Sequence, residues 1–153
     1  MMYKRVSMTR RDVIKLGITA SEEGIDVENV EEQAIKQVIE TAYIQGIHGD
    51  QDEETVRSGF HQDFAMLVLR GDDVDKVDVA EWLRRVETMK AENPELWDAE
   101  TTHRFELVDV AGYAAVAKLD VYKGTTHFST DYMLLYRFGD GWRIVSKILA
   151  VPG

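Results

Sequence analysis

The 153-residue chain contains no cysteine. Disulfide scaffolds, thiolate nucleophiles and sulfur-liganded structural zinc are therefore excluded. Proline is nearly as scarce, with two residues in all, and no run reaches the ~18 apolar residues of a membrane span. Neither disorder nor a transmembrane helix is expected. Positive charge is also in short supply: 18 basic residues face 28 acidic ones, a formal net charge of -10. Such a chain repels phosphate backbones and anionic membrane surfaces, which removes nucleic acid and membrane from the expected partners. The four histidines show no HExxH or comparable spacing, so no metal and no cofactor is expected.

What the chain does have is a balanced interior and surface, 44% hydrophobic and 30% charged. That composition fits a single globular domain, and a chain of this length buries roughly two-thirds of its extended surface. Residues 1–28 stand apart, basic to Lys15 and acidic from Glu22, and read as an extension of a domain spanning 29–153. Within them Arg10-Arg11 resembles a twin-arginine export pattern. An export signal needs an apolar run of ~7 to 15 residues, followed by a cleavage site. Here Lys15 and then Ser21-Glu22-Glu23 break the run, so "MTRRDVIKLG" is read as a short amphipathic helix and the protein as cytoplasmic. Export through Arg10-Arg11 is the alternative.

From residue 29 the periodicity sharpens. Val30, Ala34, Val38, Ala42 and Ile44 form a helical stripe flanked by Ile35 and Ile39, with Asn29 and Glu32 as a capping pair and Gly46 and Gly49 as the stop. A second helix fits residues 52–60, and a third runs from Val79 to Lys90 behind Asp78, halted by Asn93-Pro94. Between them "FAMLVLRG" reads as a buried strand. Four alternating runs come after these, at 101–110, 113–122, 127–138 and 142–150, joined by short turns. Helices first and hairpins afterwards predict an α+β fold in which three helices pack on a curved antiparallel sheet.

That order of elements, with "GFHQDFAML" after the second helix and "TDYMLLYRFGDGWRIVSKIL" at the end, resembles the nuclear transport factor 2-like superfamily. Within it the chain is most similar to the "putative lumazine-binding" family, a neighbour of SnoaL-like polyketide cyclases and ketosteroid isomerase-like proteins. His61 with Asp63, Asp131-Tyr132, the run from Gly141 to Val145, and Lys147 carry the likeness. The resemblance implies a cone whose helices cover the concave face of a bent sheet, a pocket open at one end, and often a homodimer through the convex face. It implies no single reaction.

Isomerase-type chemistry needs a carboxylate base on the strand after the second helix and a hydroxyl donor. The hydroxyl is available at Tyr43, but the place of the base falls near Val68. Other acid–base candidates are His61, two residues from Asp63, and His103, which shares strand parity with Phe105 and Leu107. His48 and His127 read as surface groups. On the strand at 127–138, Ser129, Asp131, Met133 and Leu135 make one face; Phe128, Tyr132, Leu134 and Tyr136 make the other. The aromatic face offers more apolar area to bury, which points Tyr132 into the pocket and Asp131 away from it. With the opposite face inward, Asp131 becomes a buried carboxylate able to act with His103. Trp82 and Trp97 are placed to stack on a planar ligand at the pocket mouth.

These readings predict a domain that binds a small apolar or aromatic molecule through Tyr43, Trp82, Trp97 and Tyr132. The alternatives are a cofactor-independent dehydratase, cyclase or isomerase using His61, His103 and Asp131, and a non-catalytic dimerisation module.

Overall fold

The computed structural model of the chain describes residues 27–153. The expected helix around Arg10-Arg11 lies outside them. Helix α1 (Val27–Ile39) continues without a break into a wider π-helical segment, Glu40–Asp50, which ends at Gln51 in a left-handed conformation with φ 56°. The buried stripe of this rod centres on Ile35 and Ile39, one residue round from the expected line, and Ala34 is exposed. The widening decides which side chains of the segment share a face. In an α-helix residues five apart point about 140° apart, whereas an i→i+5 turn stacks them. Tyr43 and His48 therefore face the same way, and both are buried.

Asp52 caps helix α2 (Glu53–Gly59) by accepting from the Thr55 backbone N–H. A Cβ at Gly59 would collide with that of Ala42, and one at Gly46 would stand 2.8 Å from Val56, so these two glycines let α2 lie directly on the π segment. Strand β1 (Phe60–Arg70) comes next, longer than expected, and turns at Gly71 into a short strand β2 (Asp73–Val77). Asp78 caps helix α3 (Val79–Glu92). The Asn93-Pro94 stop is also a start: Asn93 caps a short helix α4 (Pro94–Asp98), with the proline in its first turn where no N–H is needed.

Strands β3 (Thr101–Ala111), β4 (Ala114–Lys123), β5 (Thr126–Phe138) and β6 (Gly141–Ala150) form the expected meander. The sheet order is β2-β1-β6-β5-β4-β3, antiparallel except where β1 runs parallel to β6. The α+β class and the cone shape match expectation, with four α-helices among the described residues where three were anticipated. Among the described residues no helix is long and apolar enough to cross a membrane.

Three irregularities set which side chains face inward. The β3–β4 register shifts between Phe105 and Leu107, so Leu107 turns out to solvent and the expected His103-Phe105-Leu107 face is broken. The β4–β5 register shifts at Tyr122, which swings Phe128 inward while Tyr132, Leu134 and Tyr136 stay outside. The β5–β6 register shifts between Leu134 and Leu135. Beyond Ile144 the inward position is therefore taken by Lys147.

Candidate functional site

The concave face of the sheet, the π segment, α3 and α4 enclose a cavity of about 820 Å³. Its wall is mainly aromatic and aliphatic, with Trp82, Trp97 and Phe128 the largest rings. The face carrying Ser129, Asp131, Met133 and Leu135 is the inward one, and Asp131 is fully buried. This reverses the expectation drawn from apolar area along β5. Parity is set by the whole sheet: Asp131 is level with Leu119 on β4 and Leu149 on β6, and all three point under the helices.

Asp131 does not meet His103. Its Oδ2 accepts a hydrogen bond of 2.5 Å from the Tyr43 hydroxyl, and Lys147 Nζ donates to that same hydroxyl oxygen at 3.0 Å. Nζ is also 3.3 Å from Asp131 Oδ1, close enough to pair electrostatically but not aligned as a hydrogen bond. The ammonium lies 4.5 Å from the ring centre of Tyr43 and 4.7 Å from that of Trp82. Burial, then the Asp131 charge, pushes the Tyr43 hydroxyl well above its usual pKa. Burial pulls the Lys147 amine below its own, with Asp131 opposing the shift.

Beside this triad sits His48, 6% exposed. Its ring lies nearly parallel to Trp97 at 5.6 Å and edge-on to Tyr43 at 4.7 Å and Phe128 at 5.5 Å. Burial, with the charges of Lys123 and Lys147, lowers its pKa well below the ordinary histidine range, so the ring is neutral. Among the described residues neither ring nitrogen has a hydrogen-bond partner, and the same holds for Ser129 Oγ and Asp131 Oδ1. Buried polar atoms are almost always paired, and each unpaired one costs about 1–3 kcal/mol.

The other expected residues lie elsewhere. His61 stacks on Phe138 at 4.7 Å and accepts from the Asp63 backbone N–H, in a separate cavity of about 340 Å³. His103 is on β3, 3.8 Å from Glu40 and edge-on to Phe105. Tyr132 is on the convex face, with the Lys118 ammonium 5.6 Å from its ring centre. None of the acid–base trio lines the cavity: Asp131 lies behind its wall, bonded to Tyr43, which lines it together with Trp82 and Trp97. Sequence reasoning missed His48, Ser129 and Lys147, and turned Phe128 inward only as part of the face that also carries Tyr132. A lysine inside the apolar run "IVSKILA" was the available signal for Lys147. Among the described residues no three histidines or carboxylates converge as metal ligands.

Residues 30–149 match a family model described as "Putative lumazine-binding". The chain belongs to this family. Solved structures described as NTF2-like share its fold. An NTF2-like protein of unknown function from Silicibacter pomeroyi is similar at a TM-score of 0.65 and 16% identity, with 82% of this chain and 98% of that one covered. Another from Shewanella baltica gives 0.63 and 18%, covering 86% and 99%. An NTF2-like protein with a cystatin-like fold from Novosphingobium aromaticivorans gives 0.56 and 18%, covering 86% and 92%. At such identities the likeness concerns the fold alone. No curated protein matches the chain.

Proposed function

We propose that the cone cavity binds a small planar molecule, largely apolar, with a hydrogen-bonding edge. The observation that carries this reading is the set of buried, unpartnered polar atoms on His48, Ser129 and Asp131 beside an aromatic cavity. A volume near 820 Å³ falls within the usual ~300–1,000 Å³ of ligand sites. Family membership supports the same reading, and lumazine belongs in the first panel of ligands to be tried. A ligand at 100 times its dissociation constant stabilises the folded state by about 2.7 kcal/mol. Thermal denaturation with a panel of aromatic heterocycles should therefore show a dose-dependent rise in Tm for at least one. Unchanged Tm across the panel, together with unchanged His48 NMR signals, would overturn it.

The convex face supports a homodimer as a second part of the proposal. Tyr132, Leu134, Tyr136 and Ile148 are all exposed there, and Tyr132 pairs with Ile148 across β5 and β6. Contiguous apolar surface of this kind marks an interaction site. Leu134→Glu should convert a dimer to a monomer in sedimentation equilibrium; a wild-type chain that is monomeric at high concentration sinks the idea. The broken apolar run after Arg10-Arg11 supports a cytoplasmic protein with residues 1–28 as an extension. A mature chain beginning near Ser21 would contradict that placement.

A further inference from the structure

We propose that Lys147 forms an imine with an aldehyde or ketone held in the cone cavity, using Asp131 as the proton carrier. The inference rests on the cavity being a ligand site and goes beyond it by assigning a covalent step. Lys147 belongs to the cavity wall and is 2% exposed, and its Nζ stands among Tyr43, Trp82 and Asp131. An exposed lysine is a hydrated ammonium with no free electron pair; removal from water is what turns the side chain into a nucleophile. Stability alone does not account for the lysine, because a buried ion pair is often no better than a well-packed apolar replacement.

The arrangement supplies each proton the step requires. The ammonium passes one proton to Asp131 Oδ1, 3.3 Å away and free of any hydrogen-bond donor. The free amine attacks the carbonyl carbon, forming the C–N bond as the carbonyl π pair moves to oxygen. A second proton passes from nitrogen to that oxygen, giving a carbinolamine. Asp131 then returns its proton to the hydroxyl, which leaves as water while the C=N bond forms. The sum is carbonyl plus ammonium giving iminium plus water, with charge conserved. The iminium takes the place of the ammonium between the Tyr43 and Trp82 rings and beside Asp131, so the cation keeps its stabilising neighbours. The aromatic wall suits a carbonyl compound with a flat ring.

A built-in control is Lys123. It is 1% exposed and its pKa is lowered to about 8, chiefly by burial, with its Nζ 3.9 Å from the Trp97 ring centre. It donates to Thr101 Oγ1 and takes no part in the cavity wall. Burial without cavity access is thus separated from burial with it.

The test is reductive trapping of the full chain with benzaldehyde and sodium cyanoborohydride, mapped by peptide mass spectrometry. Burial lowers the Lys147 pKa, and each unit by which an amine pKa falls raises its neutral fraction about tenfold, so labelling of Lys147 should exceed that of exposed Lys76. Label should exceed that on Lys123 too, vanish in Lys147→Arg and form more slowly in Asp131→Asn. Labelling of Lys147 no greater than that of Lys76, or concentrated on Lys123, overturns the proposal. Benzyl alcohol, which has the same ring but no carbonyl, then separates the two readings. Saturation transfer from the protein to benzyl alcohol with Lys147 unlabelled removes the imine and leaves the binding site. With no transfer and no label, the binding reading falls for this class of ligand as well.

Discussion

Two buried carboxylates in this domain are held in opposite ways. Glu31, on α1, has a donor for each oxygen: Trp142 Nε1 at 2.7 Å and Arg137 at 2.8 Å. The arginine is partly exposed, so its charge keeps contact with water. Among the described residues Asp131, on β5, has a donor for one oxygen only; its cation is as dry as itself, and His48 and Ser129 have unpaired atoms beside it. Glu31 lines a cavity of about 420 Å³, whereas Asp131 lies behind Tyr43 and Lys147, which line the one of about 820 Å³. A satisfied group ties α1 to the β5–β6 hairpin. Groups left short of partners beside a roomier, aromatic cavity, with His48 and Ser129 in its wall, have hydrogen-bonding capacity to offer a ligand.

The largest effect expected from that contrast is at Lys147. Lys147→Met strands a charge at Asp131, and breaking one side of a buried pair costs about 3–5 kcal/mol. Adding Asp131→Leu should recover most of the loss, since apolar replacement of a whole buried pair is often neutral. Urea denaturation of the two variants measures both quantities. A loss below about 1 kcal/mol in the single variant would show that water reaches the pair and that the cavity floor is not dry.

Next comes Glu31. Glu31→Leu leaves the Trp142 N–H without its acceptor, and an unsatisfied buried donor costs about 1–3 kcal/mol. Ligand affinity measured by calorimetry should nevertheless stay at the wild-type value, because the hydrogen bonds removed from Trp142 and Arg137 lie at the other cavity. Falling affinity would merge the two regions into one functional unit and break the comparison.

Much of the fold was legible because its signals are local. Asp78 caps its helix as its spacing foretells, and the turns after β3, β4 and β5 fall where glycines permit them. Strand β2 was missed since "DVDKV" is charged, as edge strands often are, and so lacks a buried face to read. Tyr43, Trp82 and Trp97 could be placed by helical spacing and aromatic character. His48 and Lys147 could not, and Phe128 was turned inward only together with Tyr132, Leu134 and Tyr136; a single-residue irregularity precedes or contains each of the three. The π turn rotates His48 inward, and register shifts do so for Phe128 and Lys147. A strand has a period of two, so one extra residue exchanges inside for outside, and periodicity carries no mark of it.

The smallest effect separates the two regions by pH. His48 has its pKa lowered in the fold, from an ordinary value near 6.5. Between that value and the lowered one, the unfolded chain binds more protons than the folded one, so stability rises with pH across this window. The advantage is complete above about pH 6.5 and is lost as pH falls towards the folded value. Protonation would place a third cation beside Lys123 and Lys147 with no acceptor for either ring N–H. His48→Phe removes this contribution and leaves every other residue unchanged, so the difference between wild type and variant isolates it. One proton is worth at most about 1.4 kcal/mol per pH unit. Wild type should therefore weaken relative to His48→Phe by up to that amount per unit below pH 6.5, read from urea midpoints. Parallel curves would mean that His48 is solvated when protonated. Its nitrogens would then be served by water, and the distinction between the satisfied carboxylate at Glu31 and the open site at Asp131 would rest on Asp131 and Ser129 alone.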